Sequence, residues 1–114
     1  LSRSDGVIIN FSSVNSRGVE GQSAYSASKK GIEVLTKVWA KEFSGTNIRF
    51  ACISPGYMNF ESTVKKTTKM RLNKVINQNP MRRLGEGSEL VQAINFIIEN
   101  KYFNGKTLKL DGGF

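Results

Sequence analysis

Residues 6–13 read GVIINFSS, and the fold turns on how they are read. Val7, Ile8 and Ile9 form a short, β-branched, unbroken apolar run, the pattern of a strand buried on both faces of a parallel sheet. Ser12 and Ser13 end it. A loop rich in glycine, serine and asparagine follows, SVNSRGVEGQS at 13–23, as expected between periodic segments. From about 23 to 43, Ile32, Leu35, Val38, Trp39 and Phe43 recur at three- and four-residue spacing, which predicts a long helix. That stripe is expected to be ordinary core. Gly45 stands where such a helix stops.

Further out, NIRFACI at 47–53 is a second strand, ended by Ser54-Pro55-Gly56 because a residue before proline is held extended. A basic, weakly amphipathic region runs from about 61 to 78, and Pro80 breaks it. Another helix is expected to start near Ser88 as N-cap, with Glu89 favouring its dipole. It carries Leu90, Val91, Ile94, Ile97 and Ile98. The last strand is KTLKL, 106–110, closed by Asp111-Gly112-Gly113. Strands alternating with helices imply right-handed crossovers and a parallel α/β sheet. Three strands make a thin sheet whose edge would expose GVIINF or its neighbour.

Of the 114 residues, 39% are hydrophobic and 23% charged, the balance of an ordinary globular protein. No apolar run approaches the roughly 20 residues of a membrane span, and the opening LSRSDG has no signal-peptide pattern. Cys52 is the only cysteine. It can form no internal disulfide, which fits a reducing compartment such as the cytoplasm. With no histidine, His-based triads and His-containing zinc sites are excluded within this chain, and no metal is expected. The net charge is +8. The basic residues are dispersed apart from Lys65, Lys66, Lys69, Arg71 and Lys74. That cluster lacks aromatic interleaving and any RNA-binding motif, so it reads as a solvated helix face rather than a nucleic-acid surface.

The chemistry sits in SAYSASKK, residues 23–30. On a helix, Tyr25 and Lys29 at i and i+4 share a face. A phenol alone is a poor proton donor or acceptor at neutral pH. An adjacent ammonium stabilises the phenolate and can fit it for general acid–base work. Taken alone the pair is weak, since most such pairs are a half-buried tyrosine beside a solvated lysine. Small residues between them, Ser26, Ala27 and Ser28, would let a flat ligand approach. Ser13 ends one strand and Ser54-Pro55-Gly56 the next, and the carboxyl ends of parallel strands are where α/β sheets bind ligands. A hydroxyl there could donate to a substrate oxygen as charge develops on it.

With those motifs in order, the chain resembles the C-terminal half of the classical short-chain dehydrogenase/reductase family, close to the 3-oxoacyl-carrier-protein reductase type. GVIINFSSV looks like the family's serine strand, YSASK its Tyr-x-x-x-Lys motif and ISPGYM its Pro-Gly segment. NPMRRLGEGSEL resembles the stretch before the last long helix, and FNGKTLKLDGGF the closing strand. The resemblance implies the C-terminal half of a doubly wound, Rossmann-like parallel sheet. Residues 1–114 would be one partial domain, with the glycine-rich half elsewhere. It implies an NAD- or NADP-dependent oxidoreductase interconverting a carbonyl and an alcohol. Tyr25 would exchange the proton, Lys29 would favour its phenolate and hold the nicotinamide ribose, and Ser13 would polarise the carbonyl. Pro55, Gly56 and the backbone of Met58 would lie along the nicotinamide. Implied partners are a small carbonyl or alcohol substrate, anionic or carrier-bound if the 65–74 lysines belong to a lid, and further copies of the chain in a dimer or tetramer.

The pattern departs from the family in three places. The phosphate loop and the catalytic asparagine belong to the half not seen here. Phe60 stands where a threonine usually contacts the nicotinamide amide, with Ser62 and Thr63 close by. The interval from Ser13 to Tyr25 is one residue short; Ser12 would restore it, but Ser13 is preferred because a loop deletion is cheaper than inverting the strand's side-chain alternation. The alternative is a non-catalytic fragment that works by binding, through the stripe Ile32, Leu35, Val38, Trp39 and Phe43.

Overall fold

The computed structural model describes residues 5–18 and 20–114; most of the polar opening, 1–4, lies outside them. Three strands, β1 (Gly6–Phe11), β2 (Ile48–Pro55) and β3 (Lys106–Leu110), form one sheet in the order β1-β2-β3. Both pairings are parallel, with Phe11 opposite Ile53 and Ile53 opposite Leu108. The connection from β1 to β2 holds a 3₁₀ turn (Val14–Arg17) and the 20-residue helix α1 (Ser23–Glu42). From β2 to β3 run α2 (Glu61–Lys66), α3 (Lys69–Gln78) and α4 (Gly87–Glu99).

The strand alternation sorts residues to two faces. Ala51 and Ile53 face α4, where they form the core with Ala93 and Ile97, flanked by Val7, Ile9, Leu108 and Leu110. Ile53 and Ile97 are fully buried; truncating either to alanine costs about 2–5 kcal/mol. Asn10, Ser12 and Phe50 face α1. Helices therefore cover both faces, the doubly wound arrangement. Arg49, at the opposite end of β2 from the serines, donates to the carbonyls of Ile98 (3.1 Å), Asn100 (3.2 Å) and Phe103 (2.9 Å) and so closes the end of α4.

Five expectations change. β1 is the edge strand that a thin sheet implied, and there Ile8 and Phe11 are exposed rather than buried on both faces. β2 runs two residues past Ile53, because the Gly56 amide donates to the Leu110 carbonyl (2.8 Å) and pairing with β3 continues beyond the proline. The basic segment is two helices, split at Thr67–Thr68, where the Thr68 hydroxyl accepts the Arg71 amide (3.2 Å) and starts α3. The cap of α4 is Glu86, not Ser88. Glu86 and Glu89 each accept the other's backbone amide, which satisfies two orphan donors where a serine would satisfy one.

The fifth concerns α1. Its buried residues are Ser26, Glu33 and Thr36, while Leu35, Val38 and Phe43 are exposed. Trp39 and Phe43 still meet the sheet, with ring centroids 6.0 and 5.1 Å from that of Phe50. The helix thus lays a polar seam on the sheet because β1 offers Asn10 and Ser12 there: Asn10 donates to Thr36 Oγ1 (3.2 Å) and Ser12 to Glu33 (2.7 Å).

Candidate active site

Tyr25 lies in the first turn of α1 and Lys29 one turn on. The i, i+4 spacing brings them together: Lys29 Nζ stands over the Tyr25 ring, 5.6 Å from its centroid, within the range where an ammonium is attracted to a ring face. The ring is 46% exposed, so a ligand can reach it. The Ser28 hydroxyl donates to the Tyr25 carbonyl (2.9 Å) and closes that turn without adding bulk.

The two serines at the end of β1 have different surroundings. Ser12 is buried; its hydroxyl donates to Glu33 and its amide to the Ile53 carbonyl (2.9 Å). Ser13 is partly exposed, and its hydroxyl accepts the Asn15 amide (3.1 Å), capping the 3₁₀ turn. Beneath them Cys52 is fully buried. Burial pushes its thiol pKa up, opposed by hydrogen bonds with Ser12 and Thr107. No hydrogen bond joins Ser13 to Tyr25 among the described residues.

What ties the three segments at this sheet edge is a pair of residues the sequence did not mark. The Tyr57 hydroxyl donates to Asn15 Oδ1 (3.5 Å), and Asn15 Nδ2 donates to Gln22 Oε1 (3.2 Å). Gln22 is the N-cap of α1, so the loop after β1, the loop after β2 and the start of α1 are linked through Asn15. An asparagine in a polar loop and a tyrosine after Pro-Gly carry no periodic signal, and only the fold brings them within reach.

Pro55 and Gly56 lie at the carboxyl end of β2. A Cβ on Gly56 would come within 2.9 Å of the Asp111 Cα, so the glycine is required for the closing turn to pack there. Met58 is buried and bridges Gly85. That bridge uses the Tyr57 carbonyl (3.0 Å) and the Asn59 amide (2.7 Å), leaving the peptide groups of Met58 out of it. The Phe60 ring lies against the start of α4, 3.5 Å from where a Cβ on Gly87 would sit. A cavity of about 230 Å³ lies between Tyr57–Met58, Met81 and Leu110–Gly112; Ser13, Tyr25 and Lys29 do not line it.

A solvent-reachable phenol with an ammonium 5.6 Å from its ring centroid has the donor chemistry to meet the ribose and nicotinamide end of a dinucleotide. No group of three or more metal-ligating side chains occurs among the described residues, and no helix there is long and apolar enough to cross a membrane.

The family model described as Enoyl-(Acyl carrier protein) reductase matches residues 1–114. The 3-oxoacyl-[acyl-carrier-protein] reductase FabG of Thermotoga maritima is 37% identical over 116 residues, covering 99% of this chain and 47% of that protein. A solved short-chain dehydrogenase/reductase, a glucose/ribitol dehydrogenase from Brucella melitensis, matches with a TM-score of 0.83 at 26% identity, over 94% of this chain and 44% of its own. An oxidoreductase from Haemophilus influenza solved with bound NAD gives 0.82 at 35% identity, over 95% and 42%. The chain spans about half the length of the relatives it matches.

Proposed function

The chain belongs to the short-chain dehydrogenase/reductase family, and from that premise we propose that the protein is an NAD(P)-dependent oxidoreductase interconverting a carbonyl and an alcohol. The observation that carries this is the Tyr25–Lys29 pair, with Tyr25 exposed and Lys29 partly exposed on one helix face at the carboxyl edge of a parallel sheet. A bound nicotinamide supplies the hydride. The Tyr25 phenol gives its proton to the carbonyl oxygen as that oxygen gains charge, and takes it back in the reverse direction. Lys29 favours the phenolate left behind and reaches the cofactor's ribose. Ser13, the outward serine, donates to the same substrate oxygen; Ser12 is committed to Glu33. Pro55, Gly56 and the Met58 backbone lie along the nicotinamide, and the Phe60 position contributes no side-chain hydrogen bond.

On this reading residues 1–114 are the C-terminal part of one dinucleotide-binding domain, whose phosphate loop lies outside them. The substrate class is a 3-oxoacyl thioester or a related anionic or carrier-bound carbonyl compound, in keeping with the Thermotoga maritima relative. The reading includes a cytoplasmic location and a dimer or tetramer; exposed Val34, Leu35 and Val38 on α1 supply an apolar face for a second copy. The same face favours the second reading, a binding or subunit-association module without catalysis.

The test is reduction of acetoacetyl-CoA by the full-length protein with NADH and NADPH. Tyr25→Phe should fold normally and lower kcat by about 10²–10⁴-fold. A full-length wild type with no turnover would leave the binding module as the better account; a Tyr25→Phe protein as active as wild type would take the proton-transfer role away from Tyr25.

A further inference from the structure

Glu33 is the only carboxylate buried between α1 and the sheet among the described residues. A charge in that position is costly unless specific partners meet it. It has them: one oxygen accepts the Ser12 hydroxyl at 2.7 Å, the other lies 3.3 Å from Lys30 Nζ. An apolar residue would fill a helix–sheet interface without this cost, so the carboxylate is better explained by what it holds than by what it stabilises.

What it holds is a spacing. Ser12 directly follows β1 and is the neighbour of Ser13; Glu33 is two turns along the helix that carries Tyr25 and Lys29. Neighbouring residues on an extended strand point to opposite sides, so tying Ser12 inward turns Ser13 outward. The same bond fixes the end of β1 against α1. We propose that Glu33 is a positioning residue: by binding the Ser12 hydroxyl it sets the distance and facing between Ser13 and the Tyr25–Lys29 pair. This rests on the oxidoreductase reading for its kinetic consequence, and on the structure alone for its local one. Asn10 and Thr36 make a second tie one turn further along, away from the site. The Ser12–Glu33 bond therefore acts chiefly on the site itself.

The experiment compares Glu33→Leu, Glu33→Gln and Ser12→Ala in the full-length protein, with acetoacetyl-CoA as probe and whichever of NADH or NADPH the wild type uses. Misplacement of a reacting group by about 1 Å costs about a hundredfold. Glu33→Leu should therefore lower kcat by about 10–100-fold, with the cofactor KM within about twofold of wild type. Glu33→Gln keeps an acceptor for Ser12 and should recover most of the rate. The double variant Ser12→Ala/Glu33→Leu should fall no further than the worse single change, since both remove one bond. Independently of turnover, hydrogen exchange at the Asn15 amide, which donates to Ser13, should quicken in Glu33→Leu and not in Glu33→Gln. A folded Glu33→Leu protein with wild-type kcat and wild-type Asn15 exchange overturns the proposal. If Glu33→Leu does not fold, Ser12→Ala decides in the same two readouts. If the full-length wild type shows no turnover, the oxidoreductase reading has failed separately, and the Asn15 exchange alone decides this one.

Discussion

Asn79 and Gly112 show how a single contact can hold the end of the sheet. Asn79 is buried; its amide nitrogen donates to the Asp111 carbonyl (3.1 Å) and its oxygen accepts the Met81 amide (2.8 Å). Gly112 passes over it at φ 66°, and a Cβ there would lie 2.6 Å from Asn79 Oδ1. A left-handed backbone angle and a blocked Cβ both demand glycine. Gly112→Ala should lower unfolding stability by about 1–3 kcal/mol, measured by urea denaturation; an unchanged midpoint would show that Asn79 can move aside freely. In the sequence, Asp-Gly-Gly announced a turn but not its partner, which lies more than thirty positions earlier.

Two helices carry the lesson at the level of elements. In α1 the apolar stripe predicted the helix correctly, because three- and four-residue recurrence is a property of one segment. It did not predict the buried face. Burial depends on what the sheet presents, and Asn10 and Ser12 draw Thr36 and Glu33 inward. In α4, the Glu86–Glu89 box is fastened by Arg83, whose guanidinium donates to both Glu89 oxygens (2.7 and 2.8 Å). Those bonds first, and the Glu86 amide next, hold the Glu89 carboxyl down to about 2. A depressed carboxyl stabilises the fold fully above its unfolded value of about 4.3, and that contribution is lost as pH falls through about 2. The pair is exposed, so its effect is modest and screened by salt. Glu89→Gln should melt lower than wild type at pH 7, and the gap should close as pH falls from about 4.5 toward 2. A gap that does not change with pH would mean the helix start is held by packing instead.

At the scale of the molecule, the net charge of +8 creates a field that draws anions. Lys66, Lys69, Arg71 and Lys74 are exposed on α2 and α3, the segments between the Pro-Gly loop and α4. If these helices overhang the site, KM for acetoacetyl-CoA in the full-length protein should rise several-fold as salt goes from about 0.01 to 0.5 M, where screening shortens from about 30 Å to a few Å, with kcat little changed. A flat KM would make this face only a solvated surface. The sheet has an open side as well: among the described residues β1 pairs with β2 alone, and Ile8 and Phe11 are exposed. Relatives about twice as long have room for the further strands that would cover such an edge.

Local chemistry explains how much could be read from residues alone. The strand runs, the long helix, the parallel alternation and the Tyr25–Lys29 pairing follow from periodicity and short-range geometry, which a stretch of sequence carries by itself. The tertiary structure decided what depends on partners distant in sequence. It turned the polar seam of α1 inward, buried Ser12 on Glu33, and linked Tyr57 to Gln22 through Asn15. In each case, hydrogen-bonding groups that must be satisfied on burial chose among faces or neighbours that local propensity left nearly equal.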